Sequence, residues 1–339
     1  MATEYKNINL RERNSFGISV LADRLIEFSS AEELKSILSE NPDIKPGRWA
    51  VLGEGNNILF TEDFHGVLLH PTCKEIEITY EDEHSVSVKA GAGVIWDDFV
   101  LWCIVRGLWG TENLSHIPSS VGAAPIQNIG AYRAEVKDVI VSVDMVDADT
   151  LKDITLAGEH CRFGYRDSIF KQELKNKVII TSVNFRMLRE GQPNLDYGAL
   201  REEVDSFGEA SLENIRKAVI NIRRSKLPEP ADVGNAGSFF KNPVVYFDKA
   251  QELKSRYPEM PVYPYSDGES VKIPAGWLIE KAGFKGASKG NVGVYPKQAL
   301  ILVNNGNATG KEVIAFAREI ENVIYEKFGI RIDPEVNIW

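Results

Sequence analysis

Three polar side chains in this sequence are candidates to carry chemistry. Arg166 lies in the run Gly164-Tyr165-Arg166-Asp167-Ser168, and a guanidinium can bind a carboxylate through two parallel N–H donors. Ser238 follows Gly237 and precedes two phenylalanines, so we expect its hydroxyl at a tight turn beside an apolar wall. Glu335 follows a proline in the predicted C-terminal strand. Taken singly, these residues are better explained as an ion pair, a turn residue and a solvent-facing carboxylate.

The loop 117–132 is a candidate wall for a flat, polar ligand. It combines two prolines, two glycines, several small residues and the amide pair Gln127-Asn128. A loop of this composition exposes its backbone to a ligand. We interpret it as one wall of a flavin site, and a glycine-rich surface loop is the alternative that composition alone favours.

A second backbone-rich segment follows the predicted strand at 49–52 and reads Gly53-Glu54-Gly55-Asn56-Asn57. It resembles the start of a dinucleotide-binding fingerprint, but Ile58 stands where the third glycine belongs and no helix start follows. We therefore predict that this is not a Rossmann turn. Its backbone N–H groups can still cradle a pyrophosphate, because such donors need neither a side chain nor a charge.

The composition is that of an ordinary soluble globular protein, with 43% hydrophobic and 26% charged residues among 339. The net charge of -10 includes no block of Lys and Arg, which argues against a nucleic-acid partner. No apolar run approaches the roughly 20 residues that span a bilayer, and the N-terminus lacks a signal pattern. We therefore expect no membrane segment and a cytoplasmic location.

The cysteines and histidines indicate neither a disulfide nor a metal site. Cys73, Cys103 and Cys161 are far apart and odd in number, so we interpret them as buried reduced thiols. The five histidines show no metal-binding spacing, and a metal enzyme is not expected. Ser238 lies in no Gly-x-Ser-x-Gly turn and has no histidine close in sequence, which argues against a serine hydrolase.

The elements that must position these residues predict an α+β fold. Spacing and capping patterns predict a short helix opened by residues 30–33 and helices at 96–105, 212–224, 275–281 and from 309–312 to near 329. Strands are predicted at 49–52, 67–69, 75–80, 85–90, 139–146, 178–187, 299–303 and 330–338. Because strands come in succession with helices inserted between them, we predict α+β and not a doubly wound sheet. A change of pattern after Pro71 and the helix stop at Lys226-Leu227-Pro228 predict two boundaries.

Six motifs, taken in order, resemble the UDP-N-acetylenolpyruvoylglucosamine reductase family. The resemblance covers nearly the whole chain, from residues 14–17 to Glu335, and six ordered motifs are far more specific than any one alone. The motifs are Gly53-Glu54-Gly55-Asn56-Asn57, residues 117–132, residues 161–168, Lys226-Leu227-Pro228, residues 234–243 and Asp333-Pro334-Glu335-Val336.

The resemblance implies an FAD enzyme of bacterial peptidoglycan synthesis. Such an enzyme uses NADPH to reduce the enolpyruvyl ether of a UDP-sugar to the lactyl ether of UDP-N-acetylmuramate. The implied fold is the FAD-binding fold of the p-cresol methylhydroxylase and vanillyl-alcohol oxidase type, followed by an α+β substrate-binding domain. Residues 1–71 would be the N-terminal α/β part of the FAD-binding region, 72–225 the second FAD-binding subdomain and 226–339 the substrate-binding domain. A monomer is expected.

Matching the motifs residue by residue implies roles for single side chains. Ser238 would be the proton donor, and Arg166 and Glu335 would act on the substrate carboxylate. Tyr197 matches the tyrosine of a substrate-covering loop in one subclass, which places the chain in the type I group. The residues implied to line the UDP-sugar site are Lys226, Asn242, Lys285 and Gln298. The residues implied to bind FAD are Gly53, Gly55, Asn56, Asn57, Ile117, Pro118, Ser119, Gly122, Gln127, Asn128 and Gly130.

Two positions depart from the family pattern, and two other functions stay open. Asn56 stands where serine is common and Ser119 where glycine is common, and either change can move a contact with the flavin phosphates.

A flavin oxidase of a sugar alcohol or lactone on the same fold often anchors FAD through His or Cys, and His116 directly precedes the loop 117–132. A nucleotide-sugar-binding protein without catalysis would bind the UDP-sugar and lack the yellow colour of a flavin.

Overall fold

The protein is represented by a computed structural model that describes residues 2–42, 44, 48–265 and 267–339. The α-helices within these residues are α1 Ala31–Glu40, α2 Trp96–Ile104, α3 Leu200–Asp205, α4 Leu212–Lys226, α5 Phe247–Arg256, α6 Ala275–Lys281 and α7 Gly310–Phe328. The strands are β1 Glu4–Asn9, β2 Leu21–Phe28, β3 Trp49–Val51, β4 Ile58–Leu59, β5 Phe64–Pro71, β6 Ile76–Glu81, β7 Ser85–Gly91, β8 Gly130–Ala131, β9 Ala134–Glu135, β10 Ile140–Asp147, β11 Asp153–Ala157, β12 Val178–Leu188, β13 Gly234–Ser238, β14 Val244–Tyr246, β15 Tyr263–Pro264, β16 Ser270–Lys272, β17 Ser288–Lys289, β18 Val292–Val294, β19 Ile301–Asn304 and β20 Asn337–Ile338.

The chain divides into two compact units. Unit 1 comprises the residues through Ile8 together with Leu21–Glu54 and Phe64–Ser225. Unit 2 comprises Asn9–Val20, Gly55–Asp63 and Lys226–Trp339. Two short N-terminal segments therefore belong to unit 2, although both lie inside the range 1–71 that the sequence assigns to the FAD-binding region. The functional assignment of the ranges 1–71, 72–225 and 226–339 stays a prediction.

Unit 1 is built on two sheets of different type. The smaller sheet has the order β1-β2-β5-β3, and its strands β2, β5 and β3 run parallel. The larger sheet has the order β11-β10-β12-β7-β6 and is antiparallel throughout. A two-stranded hairpin, β8-β9, belongs to the same unit. This mixture of an antiparallel sheet with separate helices confirms the predicted α+β class.

Helix faces supply the cores of unit 1. Ser30 accepts a hydrogen bond from the N–H of Glu33 and so begins α1, whose apolar side packs with β2 and β5. Helix α2 places Trp96 and Phe99 against Phe185 of β12, with ring centroids 6.2 and 4.5 Å from the Phe185 ring. Helices α3 and α4 share a smaller apolar cluster that contains Ile215 and Val219 of α4.

Unit 2 contains a four-stranded sheet with the order β13-β19-β18-β17 and a three-stranded sheet with the order β14-β16-β15. The two short strands β20 and β4 pair in parallel. The C-terminal helix α7 begins with a complete capping box between Thr309 and Glu312 and ends at Gly329, which has a left-handed backbone. Both ends of α7 were predicted from the sequence and are confirmed.

The C-terminal strand predicted at 330–338 is wrong in length. Only Asn337–Ile338 forms a strand there, and Pro334 makes an isolated bridge with Phe240. Proline has no N–H, and the bridge uses the neighbouring groups: the N–H of Glu335 donates to the carbonyl of Phe239, and the N–H of Lys241 donates to the carbonyl of Asp333. The turn 53–57 is followed by strand β4 and not by a helix, which confirms that it is not a Rossmann turn.

Burial makes the three cysteines poor nucleophiles. Cys73, Cys103 and Cys161 are free and buried, and burial raises the pKa of these thiols to about 11, about 12 and about 11 respectively. Over the described ranges, no His, Cys, Asp and Glu cluster of three or more is arranged to hold a metal ion. No helix in the described part of the chain is both long and apolar enough to cross a bilayer.

Candidate active site

Arg166 lies in a tight turn of unit 1. The N–H of Gly164 donates to the carbonyl of Asp167 over 2.9 Å, which closes the turn around Tyr165 and Arg166. Arg166 itself has a φ of 55°, a left-handed conformation that a long side chain seldom adopts. The turn therefore fixes the backbone from which the guanidinium projects. We call residues 164–168 the arginine turn.

Three hydrogen bonds join the arginine turn to the segment 126–130, which we call the amide loop. Ser168 Oγ donates to the carbonyl of Ile126 over 2.5 Å. Asn128 Nδ2 donates to the carbonyl of Gly164 over 3.0 Å. Arg166 Nη2 donates to the carbonyl of Gly130 over 2.8 Å. The structure thus brings together Arg166, Asn128 and Gly130, which the sequence predicted to have separate roles with substrate and cofactor.

The Asn128 side chain is committed to the protein. It is fully buried, and its Nδ2 also donates to Glu135 over 3.1 Å, while its Oδ1 accepts from the N–H of Lys137 over 3.2 Å. Its φ of 45° explains why asparagine fits here, because asparagine tolerates the left-handed region. The side chain of Asn128, one of the two amides predicted to bind FAD, therefore supports the loop.

The start of the predicted flavin loop is hydrogen-bonded through its backbone to the segment 92–96, which joins strand β7 to helix α2. The N–H of Trp96 donates to the carbonyl of Ser119, and the N–H of Val121 donates to Val94. A Cβ atom at Gly122 would lie 2.6 Å from the Cβ of Ala92, so only glycine permits this approach. Among the described residues, no acceptor is found for the N–H groups of Ser119 and Ser120.

The turn 53–57 also has backbone donors to offer. Throughout the described residues, no acceptor is found for the N–H groups of Gly53, Glu54, Gly55 or Asn56. Successive N–H groups without protein acceptors are what an anion-binding turn requires. These backbone donors therefore fit the phosphates of a dinucleotide such as FAD.

Ser238 stands at the end of strand β13 in unit 2, where the pairing with β19 is irregular. Asn235 is opposite Val303 and Ser238 is opposite Ile301, so β13 contains one extra residue. Gly237 supplies the bulge with a φ of 69°, and its N–H donates to Asn235 Oδ1 over 2.9 Å. The tight turn expected at Ser238 is therefore a β-bulge. Within the described residues, the Ser238 hydroxyl has no hydrogen-bond partner.

Glu335 lies beside the residues that follow Ser238. Its N–H donates to the carbonyl of Phe239 over 2.8 Å, and its carbonyl accepts from Asn57 Nδ2 over 3.4 Å. The carbonyl of Asn57 in turn accepts from the N–H of Asn337. Unit 2 thus brings Ser238, Glu335 and the predicted FAD residue Asn57 into one neighbourhood, while Arg166 lies in unit 1.

The predicted substrate residues sit in several settings. Asn242 Oδ1 accepts from the N–H of Ala275 at the start of α6, and Lys285 Nζ lies 2.9 Å from Glu280. Gln298 Oε1 accepts weakly from the N–H of Leu300, and Lys226 is an exposed residue at the end of α4. In unit 1, Tyr197 makes an edge-on contact with Tyr132, with ring centroids 5.7 Å apart.

Sequence reasoning missed a clamp on the peptide group of His116, directly before the predicted flavin loop. Asp97 of α2 accepts the N–H of His116 over 2.5 Å and binds Arg216 of α4 at two points, 2.6 and 2.8 Å. Arg223, two helical turns further along α4, donates to the carbonyl of His116 over 3.0 Å. The seven-residue spacing of the arginines puts both on one face of α4 and was the available signal.

Comparison with known proteins agrees with this geometry. Residues 22–151 match an FAD binding domain, and residues 229–339 match the C-terminal domain of UDP-N-acetylenolpyruvoylglucosamine reductase. The UDP-N-acetylenolpyruvoylglucosamine reductase of Flavobacterium johnsoniae is 44% identical over 335 residues, which is 98% of each chain. That of Bacteroides fragilis is 43% identical over 329 residues, covering 97% of this chain and 98% of the relative.

Solved structures support the fold. The crystal structure of UDP-N-acetylenolpyruvylglucosamine reductase from Thermus caldophilus aligns with a TM-score of 0.69 at 21% identity, covering 100% of this chain and 99% of the other. Substrate-bound p-cresol methylhydroxylase aligns with a TM-score of 0.52 at 12% identity, covering 96% of this chain and 84% of the other. The predicted FAD-binding fold of the p-cresol methylhydroxylase type is confirmed. On the strength of the curated relatives, which match almost end to end, this chain belongs to the UDP-N-acetylenolpyruvoylglucosamine reductase family.

Proposed function

We propose that Arg166, Ser238 and Glu335 carry the reduction catalysed by this member of the family. The reaction is the NADPH-dependent, FAD-mediated reduction of UDP-N-acetylglucosamine enolpyruvate to UDP-N-acetylmuramate in peptidoglycan precursor synthesis. The observation that supports it most is the 44% identity to the Flavobacterium johnsoniae reductase across 98% of both chains. The predicted resemblance to this family is thereby confirmed, whereas the roles of single residues rest on the geometry below.

The backbone donors of two segments are proposed to hold FAD. The N–H groups of the turn 53–57 would meet its phosphates, as would those of Ser119 and Ser120. Both departures from the family pattern, Asn56 and Ser119, offer a backbone N–H, which needs no particular side chain. The remaining proposed contacts are the backbone or side chains of Ile117, Pro118, Gly122, Gln127 and Gly130. Bound FAD would supply a hydride, taken from NADPH, to the enolpyruvyl double bond.

Arg166 is proposed to bind the carboxylate of the enolpyruvyl group. Addition of hydride to the terminal carbon drives negative charge through C2 into that carboxylate, and fixed donors stabilise such charge most effectively where water is scarce. The αL backbone of Arg166 and its bond to Gly130 hold the guanidinium before substrate arrives. A second proposed donor to the same carboxylate is a protonated Glu335.

Ser238 is proposed to protonate C2. Serine is a weak acid, but a carbanion-like C2 is a strong enough base to take its proton if the hydroxyl is aligned. The bulge at Gly237 fixes the backbone of Ser238, and its hydroxyl is not committed to a partner among the described residues. Tyr197, Lys226, Asn242, Lys285 and Gln298 are proposed to bind the UDP-sugar, with Tyr197 closing over it. We also propose that the protein acts as a cytoplasmic monomer.

The visible spectrum of the purified protein tests the proposal first. A flavin spectrum and oxidation of NADPH that requires the enolpyruvyl UDP-sugar are expected. Colourless protein that takes up no added FAD would contradict it. The flavin oxidase on the same fold is disfavoured by the family assignment, and it predicts turnover of a sugar alcohol with oxygen. Flavin that stays with the protein after acid precipitation would support the oxidase, because that observation requires a covalent anchor.

A further inference from the structure

We infer that Ser168 and Asn128 are positioning residues for Arg166. Both tie the arginine turn to the amide loop, and neither needs to touch substrate to do so. The inference rests on the proposed role of Arg166 and deepens it, because it names the groups that aim the guanidinium.

The three bonds between loop and turn have a regular pattern. Residues 126, 128 and 130 of the amide loop each take part in one of them. Their partners are residues 168, 164 and 166 of the arginine turn. Every second residue of the amide loop is therefore bound to the turn, and the two segments must shift together if either shifts.

Burial makes two of these bonds difficult to exchange for water. Ser168 is 1% exposed and Asn128 is fully buried, whereas Arg166 is only partly buried. A buried donor that loses its partner bears the full cost of desolvation, about 1–3 kcal/mol. The buried pair thus holds the turn in place, and Nη2 of the partly buried Arg166 donates to the carbonyl of Gly130.

Catalysis is sensitive to small displacements of the Arg166 guanidinium. Displacement of a catalytic group by about 1 Å can cost roughly 100-fold in rate. Loss of either buried bond frees the αL turn that carries Arg166 to relax toward an ordinary backbone conformation. Because the amide loop is also a proposed wall of the FAD site, the same loss should loosen the flavin.

Ser168→Ala in the full-length, FAD-loaded protein is the direct test. Oxidation of the reduced enzyme by the enolpyruvyl UDP-sugar should slow about 10- to 100-fold. Reduction of the enzyme by NADPH should stay at the parental rate, and Ser168→Thr, which keeps a hydroxyl, should recover most of the lost rate. The FAD dissociation constant of the apoprotein, from fluorescence titration, should rise about 2- to 10-fold. Asn128→Gly, which removes the amide and tolerates the φ of 45°, should reproduce these effects.

A matched control and a double variant separate positioning from general damage. Ser182→Ala also removes a buried serine hydroxyl of unit 1, one bound to Asp144 on the large sheet, and should leave both half-reactions unchanged. Ser168→Ala should cause no further slowing when it is combined with Arg166→Ala, because it acts through Arg166. Multiplicative slowing in the double variant would overturn the inference.

The failure of this inference is distinguishable from failure of the proposed function. If Arg166→Ala slows substrate reduction but Ser168→Ala and Asn128→Gly do not, the positioning role is refuted and the role of Arg166 stands. Parental turnover in Arg166→Ala would refute both.

Discussion

A single extra residue decides where the Ser238 hydroxyl is presented. Without the bulge at Gly237, the side chains of β13 would alternate regularly between the two faces of the sheet, in register with β19. The face on which Ser238 lies would then follow from that of Asn235 by this alternation. The bulge breaks that alternation immediately before the proposed proton donor. Bulges near active sites commonly serve to re-aim a side chain.

Ser238→Ala should leave reduction by NADPH unchanged and slow the step that consumes the enolpyruvyl UDP-sugar. Loss of a well-placed proton donor costs about 100- to 10,000-fold in that step. Stopped-flow absorbance of the flavin separates the two half-reactions. Ser255→Ala in α5, where the hydroxyl donates only to the carbonyl of Glu252, is the control and should match the parent in both. Equal reoxidation rates in Ser238→Ala and parent would remove Ser238 from the mechanism.

At the scale of elements, helix α4 holds the entry to the flavin loop through Asp97. Burial alone would raise the pKa of Asp97, but hydrogen bonds from Arg216 and from the N–H of His116, with the guanidinium charge, outweigh burial and lower it. A carboxyl whose pKa is lower in the folded state contributes stability that is present above its unfolded pKa. That contribution is lost as the pH falls through the lower, folded value.

Asp97→Asn should therefore lower the free energy of unfolding at neutral pH by about 3 kcal/mol, because it leaves the partly buried Arg216 without its countercharge. The difference between parent and variant should begin to shrink below about pH 4, where the carboxyl of the unfolded chain becomes protonated, and should be lost as the pH falls through the lower pKa of the folded state. Urea unfolding at several pH values measures both effects. Glu319→Gln breaks the exposed pair with Lys289 and should cost under about 1 kcal/mol. An Asp97→Asn protein as stable as Glu319→Gln would contradict the clamp.

Helix α7 offers a case in which a helix-favouring substitution should destabilise. A Cβ at Gly310, the first residue of α7, would lie 1.7 Å from the carbonyl oxygen of Phe60. Gly310→Ala should cost about 1–3 kcal/mol despite the better helix propensity of alanine. Thermal melting of Gly276→Ala provides the control, since its Cβ would meet only ordinary contacts of 3.4 Å or more in α6. A Gly310→Ala protein that is more stable than the parent would show that the segment containing Phe60 moves aside at little cost.

Local signals predicted most of the helices, whereas the strands, which depend on long-range pairing, were predicted less completely. The box at Thr309 and Glu312 and the helix at Ala275–Lys281 depend on neighbouring residues, so the sequence predicted them closely. Strands β1 and β2 were not predicted, since they precede the first recognisable helix signal and β1 is almost wholly exposed. The strand predicted at 330–338 was too long, because only Asn337–Ile338 forms a strand and Pro334 makes an isolated bridge.

The candidate site was predictable only by recognising motifs. Arg166, Ser238 and Glu335 have little individual signal, and their roles came from the order of six motifs and not from spacing. The motifs did not indicate the hydrogen bonds between residues far apart in the sequence. Examples are the bond from Ser168 to Ile126, 42 residues apart, and the bond from Arg216 to Asp97, 119 residues apart. Such bonds form only when the fold brings distant segments together, so patterns of neighbouring residues do not predict them.

At the scale of the whole molecule, unit 2 is assembled from three separate stretches of chain. The N–H of Asn235 donates to the carbonyl of Ser15, and the Phe16 and Phe239 rings meet edge-on at 6.3 Å. Phe60 and Trp339 make a similar contact at 5.4 Å. The range that matches the family's C-terminal domain, 229–339, therefore lacks residues that complete its own core.

Residues 226–339 expressed alone should lack fixed tertiary packing, because Phe16, Phe60 and strand β4 are missing. Near-ultraviolet circular dichroism should be weak and thermal unfolding broad. Adding Asn9–Val20 and Gly55–Asp63 through flexible linkers should restore a cooperative transition. A sharp transition in the shorter chain would show that the two N-terminal segments are dispensable.

The pairing of β4 with β20 has a consequence for biosynthesis. Asn57 and Asn337, whose bond helps brace the proposed phosphate turn, are separated by 280 residues. At ribosomal speeds of about 5–20 residues per second, the turn waits roughly 15 to 55 seconds for its brace. Nascent chains should consequently acquire FAD only after residues 337 and 338 have emerged from the ribosome and paired with β4.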